Sequence, residues 1–303
     1  MRVLAIDGGG IRGLIPALVL AELEERAARP VHELFDLMAG TSTGGILVCS
    51  LCAPDALAAR EVAAIYEEEG PRIFDRSLAQ RIRSADGLLD EKYDDAALDR
   101  ALERFLGDKR LAQARPELVV PAYDTASPGP FFFKTMNARQ SPSEDFALSE
   151  VARATSAAPT YFEPLELGER ALLDGGVFAV NPAMSAFAEA LRMGGGGDVV
   201  LVSLGTGERT RRRGFEEIKD WGLVEWARPI LDVVFDGSSD AVDYQLRHAL
   251  GEGYWRFQVE LTRASDDLDD ASEQNLRLLR GHARELIEAR GSDLDAVVAA
   301  LIR

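Results

Sequence analysis

Short runs of apolar residues alternate along this chain with helix-length segments, a pattern that predicts an α/β protein. Val3–Ile6 reads as a strand, followed by a glycine-rich turn and a helix in which Pro16 fits only within the first turn. Leu34–Ala39 predicts a second strand that runs into Gly40-Thr41-Ser42-Thr43-Gly44-Gly45 and then into a Leu/Ile/Val-rich helix. Further strands are expected at Leu118–Pro121, Phe131–Lys134, Ala171–Leu173 and Val199–Leu204. The last is a nearly continuous apolar run, the kind found in a sheet covered on both faces. Residues 55–116 are more polar and predict a helical cap over one end of the sheet. Near the end of the chain, Asp270 with Glu273 and Ser292 with Asp295 have capping-box spacing before helical patterns. With no internal repeat and no linker, residues 1–303 are expected to form a single domain.

The 303 residues carry a formal charge of −17. That charge argues against a nucleic-acid partner, which needs a basic stripe, and against electrostatic adhesion to an anionic membrane. Contact with lipid must then be apolar and local. The candidates are Ile73, Phe74, Leu88 and Leu89 in the cap, whereas Phe131–Phe133 is better read as a buried strand. No apolar run approaches the ~20 residues needed to span a bilayer, and Asp7 and the glycines interrupt any leader-like core, so a cytoplasmic protein is expected. Cys49 and Cys52 have C-x-x-C spacing but lack a second pair of ligands for zinc, and they fall in an apolar helix where thiols act as small hydrophobes.

Three glycine-marked turns carry the candidate chemistry. Gly40-Thr41-Ser42-Thr43-Gly44 is a G-x-S-x-G motif between a predicted strand and a predicted helix, the setting of a nucleophile elbow. There the serine hydroxyl stands at a helix N-terminus, which favours developing negative charge. Asp7-Gly8-Gly9-Gly10-Ile11-Arg12-Gly13 leaves successive backbone amides free to converge on an oxyanion. Gly8, Gly10 and Gly13 also spell the dinucleotide fingerprint. That reading needs an acid ending the second strand, where the Ser42 elbow stands instead and Asp36 comes too early. Asp174, at a strand end before Gly175 and Gly176, is placed to accept the Ser42 proton, although an Asp-Gly pair is also an ordinary turn. A Ser42–Asp174–His248 triad is disfavoured. His248 and His282 sit in amphipathic helical stretches and His32 precedes the second strand, none of them in a glycine-marked turn.

Together, D-G-G-G-I-R-G, G-T-S-T-G-G and D-G-G resemble the patatin-like phospholipases. Glu69–Phe74, Ala154–Phe162, Ser203–Gly207 and Asp269–Ser272 are similar to further segments of that family, so the likeness covers nearly the whole chain. The resemblance implies a three-layer αβα fold around a central, mostly parallel sheet. It implies a catalytic dyad of Ser42 and Asp174, and an oxyanion hole drawn from Gly8, Gly9, Gly10 and Arg12, with no metal or other cofactor. The expected activity is that of a lipid acyl hydrolase of the phospholipase A kind, with a lipid substrate and transient contact with a membrane surface. Three rivals remain open: an esterase of soluble acyl esters, an effector silent until a nucleotide signal binds, and a storage protein.

Overall fold

β1 (Arg2–Ile6) lies at the middle of an eight-stranded sheet, and its alternating side chains separate two apolar layers. Leu4 and Ile6 point into one core and Val3 and Ala5 into the other, as the two-residue period of a strand dictates. The structure, a computed structural model, describes residues 1–75, 93, 95–196, 198–208, 213–226 and 229–302.

After β1 the chain makes a 3₁₀ turn at Gly10–Gly13 and enters α1 (Leu14–Ala27). The expected second strand begins later than its apolar run suggests, because Pro30 opens the one-turn α2 (Val31–Leu34) and β2 spans only Leu37–Gly40. The carboxylate of Glu24 fixes that turn by accepting from the Val31 amide at 2.9 Å. The elbow helix α3 (Thr43–Cys52) is buried along almost its whole length and carries both cysteines into the core. Burial pushes the Cys49 thiol up to about 12, so it stays protonated and inert. The cap follows as α4 (Ala59–Ile73) and α5 (Asp95–Phe105); Leu88 and Leu89 lie outside the described residues.

β3 (Glu117–Asp124) and β4 (Gly129–Lys134) form an antiparallel hairpin, with Phe133 buried and Phe131 edge-on to it at 4.8 Å. Two short helices follow, α6 (Thr135–Gln140) and α7 (Leu148–Thr155). β5 (Leu165–Leu167) and β6 (Arg170–Asp174) then make a second hairpin. The chain continues through α8 (Gly176–Ala179), α9 (Ala183–Arg192) and β7 (Val200–Leu204), which pairs in parallel with β1. α10 (Phe215–Ile218), α11 (Leu223–Trp226) and the long α12 (Pro229–Leu250) lead to β8 (Tyr254–Phe257), and α13 (Glu273–Ala289) and α14 (Gly291–Leu301) close the chain. α9 and Leu246 of α12 cover one face of the sheet, while α1, α3, α7, α13 and α14 cover the other.

The capping residues near the end differ from those the spacing suggests. Ser272, not Asp270, caps α13 by accepting from the Asn275 amide, and Asp270 instead turns back to the Ser272 amide at 3.1 Å. α14 begins at Gly291, so Ser292 lies inside its first turn. The acidic stretch 266–270 packs back on the first glycine turn, where the Leu268 carbonyl accepts from the Ile11 amide at 2.8 Å.

One feature of the topology sets up the site. β1, β2, β3, β7 and β8 are parallel, and β2 pairs with the first residues of β3. β6 pairs antiparallel with Ala122–Asp124, further along β3, while β4 holds the opposite edge at those positions. β2 and β6 therefore share one edge of β3 and run toward each other. The turn after β2 and the last residue of β6 meet in the gap between them.

Candidate active site

Ser42 and Asp174 are the two residues that meet there. Ser42 has φ 55° and ψ −123°, a conformation that costs a residue with a side chain roughly 1–3 kcal/mol and persists only where the surroundings enforce it. Close backbone packing supplies that enforcement. A Cβ on Gly40 would lie 2.1 Å from the Gly44 carbonyl oxygen, and one on Gly44 would lie 2.2 Å from the carbonyl oxygen of Ile6. The Ser42 amide donates to Thr155 Oγ1 at 3.0 Å, and that hydroxyl donates to the Pro121 carbonyl at 2.6 Å, which ties the turn to β3.

Asp174 is buried at the end of β6, its own amide held by the Ala157 carbonyl at 2.9 Å. Its carboxylate accepts from the Gly176 amide at 2.7 Å and faces the Ser42 side chain. Burial pushes the carboxyl up to about 7, and the Ser42 hydroxyl and the Gly176 amide oppose that rise. A carboxylate so raised is basic enough to share a serine proton near neutral pH.

The first glycine turn lies against the elbow, with the Cβ position of Gly8 only 3.3 Å from Ser42 Cβ. The Gly8 amide is occupied, since it donates to the Val180 carbonyl at 2.8 Å. Among the described residues, no acceptor is found for the amides of Gly9, Gly10 and Thr43, which flank the same space. Gly10 has φ +56° and would meet the Leu268 carbonyl if it carried a side chain. Arg12, expected beside the oxyanion, is buried and directs its guanidinium to the Gly9 carbonyl at 3.3 Å and the Asp266 carbonyl at 3.4 Å. It shapes the loop through those carbonyls.

Sequence reasoning missed the ion pair beneath this turn. Asp7 and Arg256 are both buried and face each other as a fork, Nη1 to Oδ1 at 3.0 Å and Nη2 to Oδ2 at 2.6 Å. Arg256 also donates to Ser203 Oγ at 2.8 Å and reaches Ser239 of α12 at 3.4 Å. The local signal was a lone arginine between Trp255 and Phe257, but its partner lies far away in sequence. Breaking a buried pair strands the remaining charge, so Arg256→Met is expected to cost about 3–5 kcal/mol in denaturant unfolding. Asp7→Asn combined with Arg256→Met should recover part of that loss.

A cleft of about 320 Å³ opens over Ser42. One wall is apolar, with Ile46 of α3, Val62 and Ile65 of α4, and Leu98, Leu102 and Phe105 of α5. The other is polar, with Glu208, Asp236, Ser239 and Asp240. Tyr66 fastens the cap to the elbow helix by donating to the Thr43 carbonyl at 2.9 Å. Ile73 and Phe74, expected to face lipid, are half-buried and line the cleft, with Phe74 edge-on to Tyr93 at 5.4 Å. Ser156 Oγ also borders it, buried and without a partner among the described residues.

No histidine is among the described residues that line this cleft. His248 is exposed on α12, its Nδ1 2.7 Å from the Tyr244 carbonyl oxygen. His282 is buried in α13, and burial lowers its pKa.

The patatin-like phospholipase family model matches residues 4–187, a span that holds the glycine turn, the elbow and Asp174. The chain belongs to the patatin-like phospholipase family. Patatin-like protein 2 of Arabidopsis thaliana is 34% identical to it, covering 95% of this chain and 83% of the plant protein. Patatin-17 of Solanum cardiophyllum is 33% identical, over 92% of this chain and 81% of its own length. Among solved structures, VipD from Legionella pneumophila covers 95% of this chain and 66% of its own, at 11% identity and a TM-score of 0.43, a likeness too distant to bear on the argument. As a family member the chain is a lipid acyl hydrolase by kinship, and its sheet, flanking helices and elbow have the expected three-layer αβα arrangement.

Proposed function

We propose that the whole of residues 1–303 works as one phospholipase A-type lipid acyl hydrolase, with Ser42 as nucleophile and Asp174 as general base. The observation that carries this reading is the contact between Ser42, held at positive φ, and a buried carboxylate raised to about 7. Ser42 Oγ attacks the ester carbonyl carbon as its proton passes to Asp174. The carbonyl oxygen becomes an oxyanion facing the amides of Gly9 and Gly10, with Gly8 and Arg12 fixing the shape of the loop and the Thr43 amide close by. Collapse of this intermediate breaks the bond to the alcohol oxygen, which leaves with the proton held by Asp174. Water then attacks the acyl-serine, giving its proton to Asp174, and the fatty acid departs as Ser42 regains its hydrogen. No step calls for a metal or cofactor.

The apolar wall formed by α3, α4 and α5 favours a fatty-acyl chain over a small polar acid. Gly40, Gly44, Gly175 and Gly176 keep the two turns compact, and the Cβ position of Gly175 lies 2.3 Å from the Pro121 carbonyl oxygen. A cytoplasmic site of action fits the same reading. The test is mass spectrometry of products from mixed phospholipids. Wild-type protein should release free fatty acids and lysophospholipids, and Ser42→Ala neither. Intact phospholipid after incubation with wild type, alongside cleavage of a short soluble ester, would reassign the protein as an esterase.

A further inference from the structure

The segment Ser203-Leu204-Gly205-Thr206-Gly207 takes no part in the steps assigned to Ser42 and Asp174, yet its threonine reaches the first glycine turn. β7 ends at Leu204, and the turn that follows is tied to the chain beyond β8. The Gly205 amide donates to the Phe257 carbonyl at 2.9 Å, and the Gly207 amide donates to Gln258 Oε1 at 2.8 Å. Thr206, held between them, is buried, and its hydroxyl donates to the Gly8 carbonyl at 2.8 Å. The approach is so close that a Cβ on Gly9 would lie 2.2 Å from Thr206 Oγ1.

A peptide unit is planar, and in its trans form the carbonyl and the following amide point in opposite directions. Among the described residues the one cis bond is Arg115–Pro116, so the Gly8–Gly9 bond is trans. Anchoring the Gly8 carbonyl to Thr206 therefore turns the Gly9 N–H away from Thr206. No acceptor for that N–H is found among the described residues, and Gly9 lines the cleft that opens over Ser42. The same bond acts in a second way. A carbonyl that accepts a hydrogen bond polarises its peptide, which makes the N–H at the other end a stronger donor. Arg12 repeats the arrangement one residue later, its Nε donating to the Gly9 carbonyl at 3.3 Å and so setting the Gly10 N–H. Arg12 belongs to the glycine turn and moves with it, whereas Thr206 stands beyond β7 and fixes the turn relative to the sheet.

We propose that Thr206 is a positioning residue for the oxyanion hole, acting through the Gly8 carbonyl to aim and polarise the Gly9 amide. This rests on the hydrolase reading of Ser42 and Asp174, and it gives the turn after β7 a role in the chemistry. The effect on the reacting oxygen passes through one peptide unit, so it is felt where that oxygen carries negative charge and hardly at all in the bound ester.

The test compares Thr206→Val, which keeps the branched shape and removes the hydroxyl, with Thr206→Ser, which keeps the hydroxyl and removes the methyl group. Rates on a short monomeric ester and on phosphatidylcholine vesicles are counted per serine titrated to completion by a fluorophosphonate, so that misfolded protein does not enter. Thr206→Val should lower kcat about tenfold on both substrates, less than the roughly 10²–10³-fold that removal of an oxyanion donor itself costs. KM should stay unchanged, as for an interaction made only in the transition state. Thr206→Ser should recover most of the loss. A trifluoromethyl ketone, whose adduct with Ser42 carries an alkoxide in place of the oxyanion, should bind Thr206→Val about tenfold more weakly than wild type. Serine more damaging than valine would show that Thr206 only packs, and would overturn the proposal. So would a loss carried by KM alone, or unchanged affinity for the ketone. Wild-type protein that cleaves the short ester but no phospholipid, with the two variants in the expected order, would remove the lipid reading and leave the role of Thr206 standing.

Discussion

Asp174→Asn should lower kcat/KM on any ester by about 10³-fold or more, because the amide keeps the shape of the carboxylate but cannot take the Ser42 proton. His248→Ala should leave most activity, since that side chain is exposed on α12 and no histidine is among the described residues lining the cleft. An equal loss in both variants would return the triad. The wild-type pH profile follows from the same group. The base must be ionised and burial raises it to about 7, so kcat/KM should fall tenfold per pH unit below that value and level off above it.

The same shift also predicts a gain in stability. The folded-state value is raised from 3.8 to about 7, so below about pH 4 the carboxyl is protonated in both folded and unfolded chains. Between about pH 4 and pH 7 the unfolded chain is ionised while the buried carboxyl is not, so stability falls across that window, by on the order of 4 kcal/mol. The loss is complete once the pH has risen through about 7. Asp174→Asn escapes this loss. Its Tm should match wild type near pH 4 and exceed it above pH 7, and a constant difference across that range would contradict the assigned burial.

Ser42→Ala should abolish turnover and, in the same stroke, labelling by a fluorophosphonate probe. Such probes capture serines that are activated and faced by oxyanion donors. Among the described residues, only Ser42 combines positive φ, a carboxylate partner and adjacent unoccupied amides. Alanine also relieves no packing, because Ser42 is half-exposed in the cleft, so the variant should fold with a near-native Tm. Undiminished labelling of Ser42→Ala would move the nucleophile elsewhere.

The three turns were legible in the sequence because each is made of neighbouring residues whose glycines are demanded by local geometry. β7 was legible too, being apolar at every position but Ser203 and buried on both sides. β8 was not, because Arg256 interrupts its apolar pattern, and the reason for that arginine is Asp7, at the other end of the chain. β5 is three residues long, too short for alternation to register. The occupied amide of Gly8 was equally hidden, since the Val180 carbonyl that it meets belongs to a different part of the sequence. Periodicity also misplaced the start of β2, because Leu34, where the apolar run Leu34–Ala39 begins, is buried in a helical turn after Pro30.

The turn that carries Ser42 is held by backbone atoms and by small side chains, Thr155 among them, whereas the walls that receive the substrate come from α4, α5 and α12, outside the sheet. Those two sets of residues can change independently. A lineage built on this plan can widen, shorten or recharge its cleft one side chain at a time while Gly40 and Gly44 stay fixed by collisions of about 2 Å with neighbouring carbonyls. Directed evolution aimed at new acyl chains should accordingly accumulate its changes at Val62, Ile65, Leu98, Leu102 and Phe105, and should find almost no tolerated change in the turns themselves.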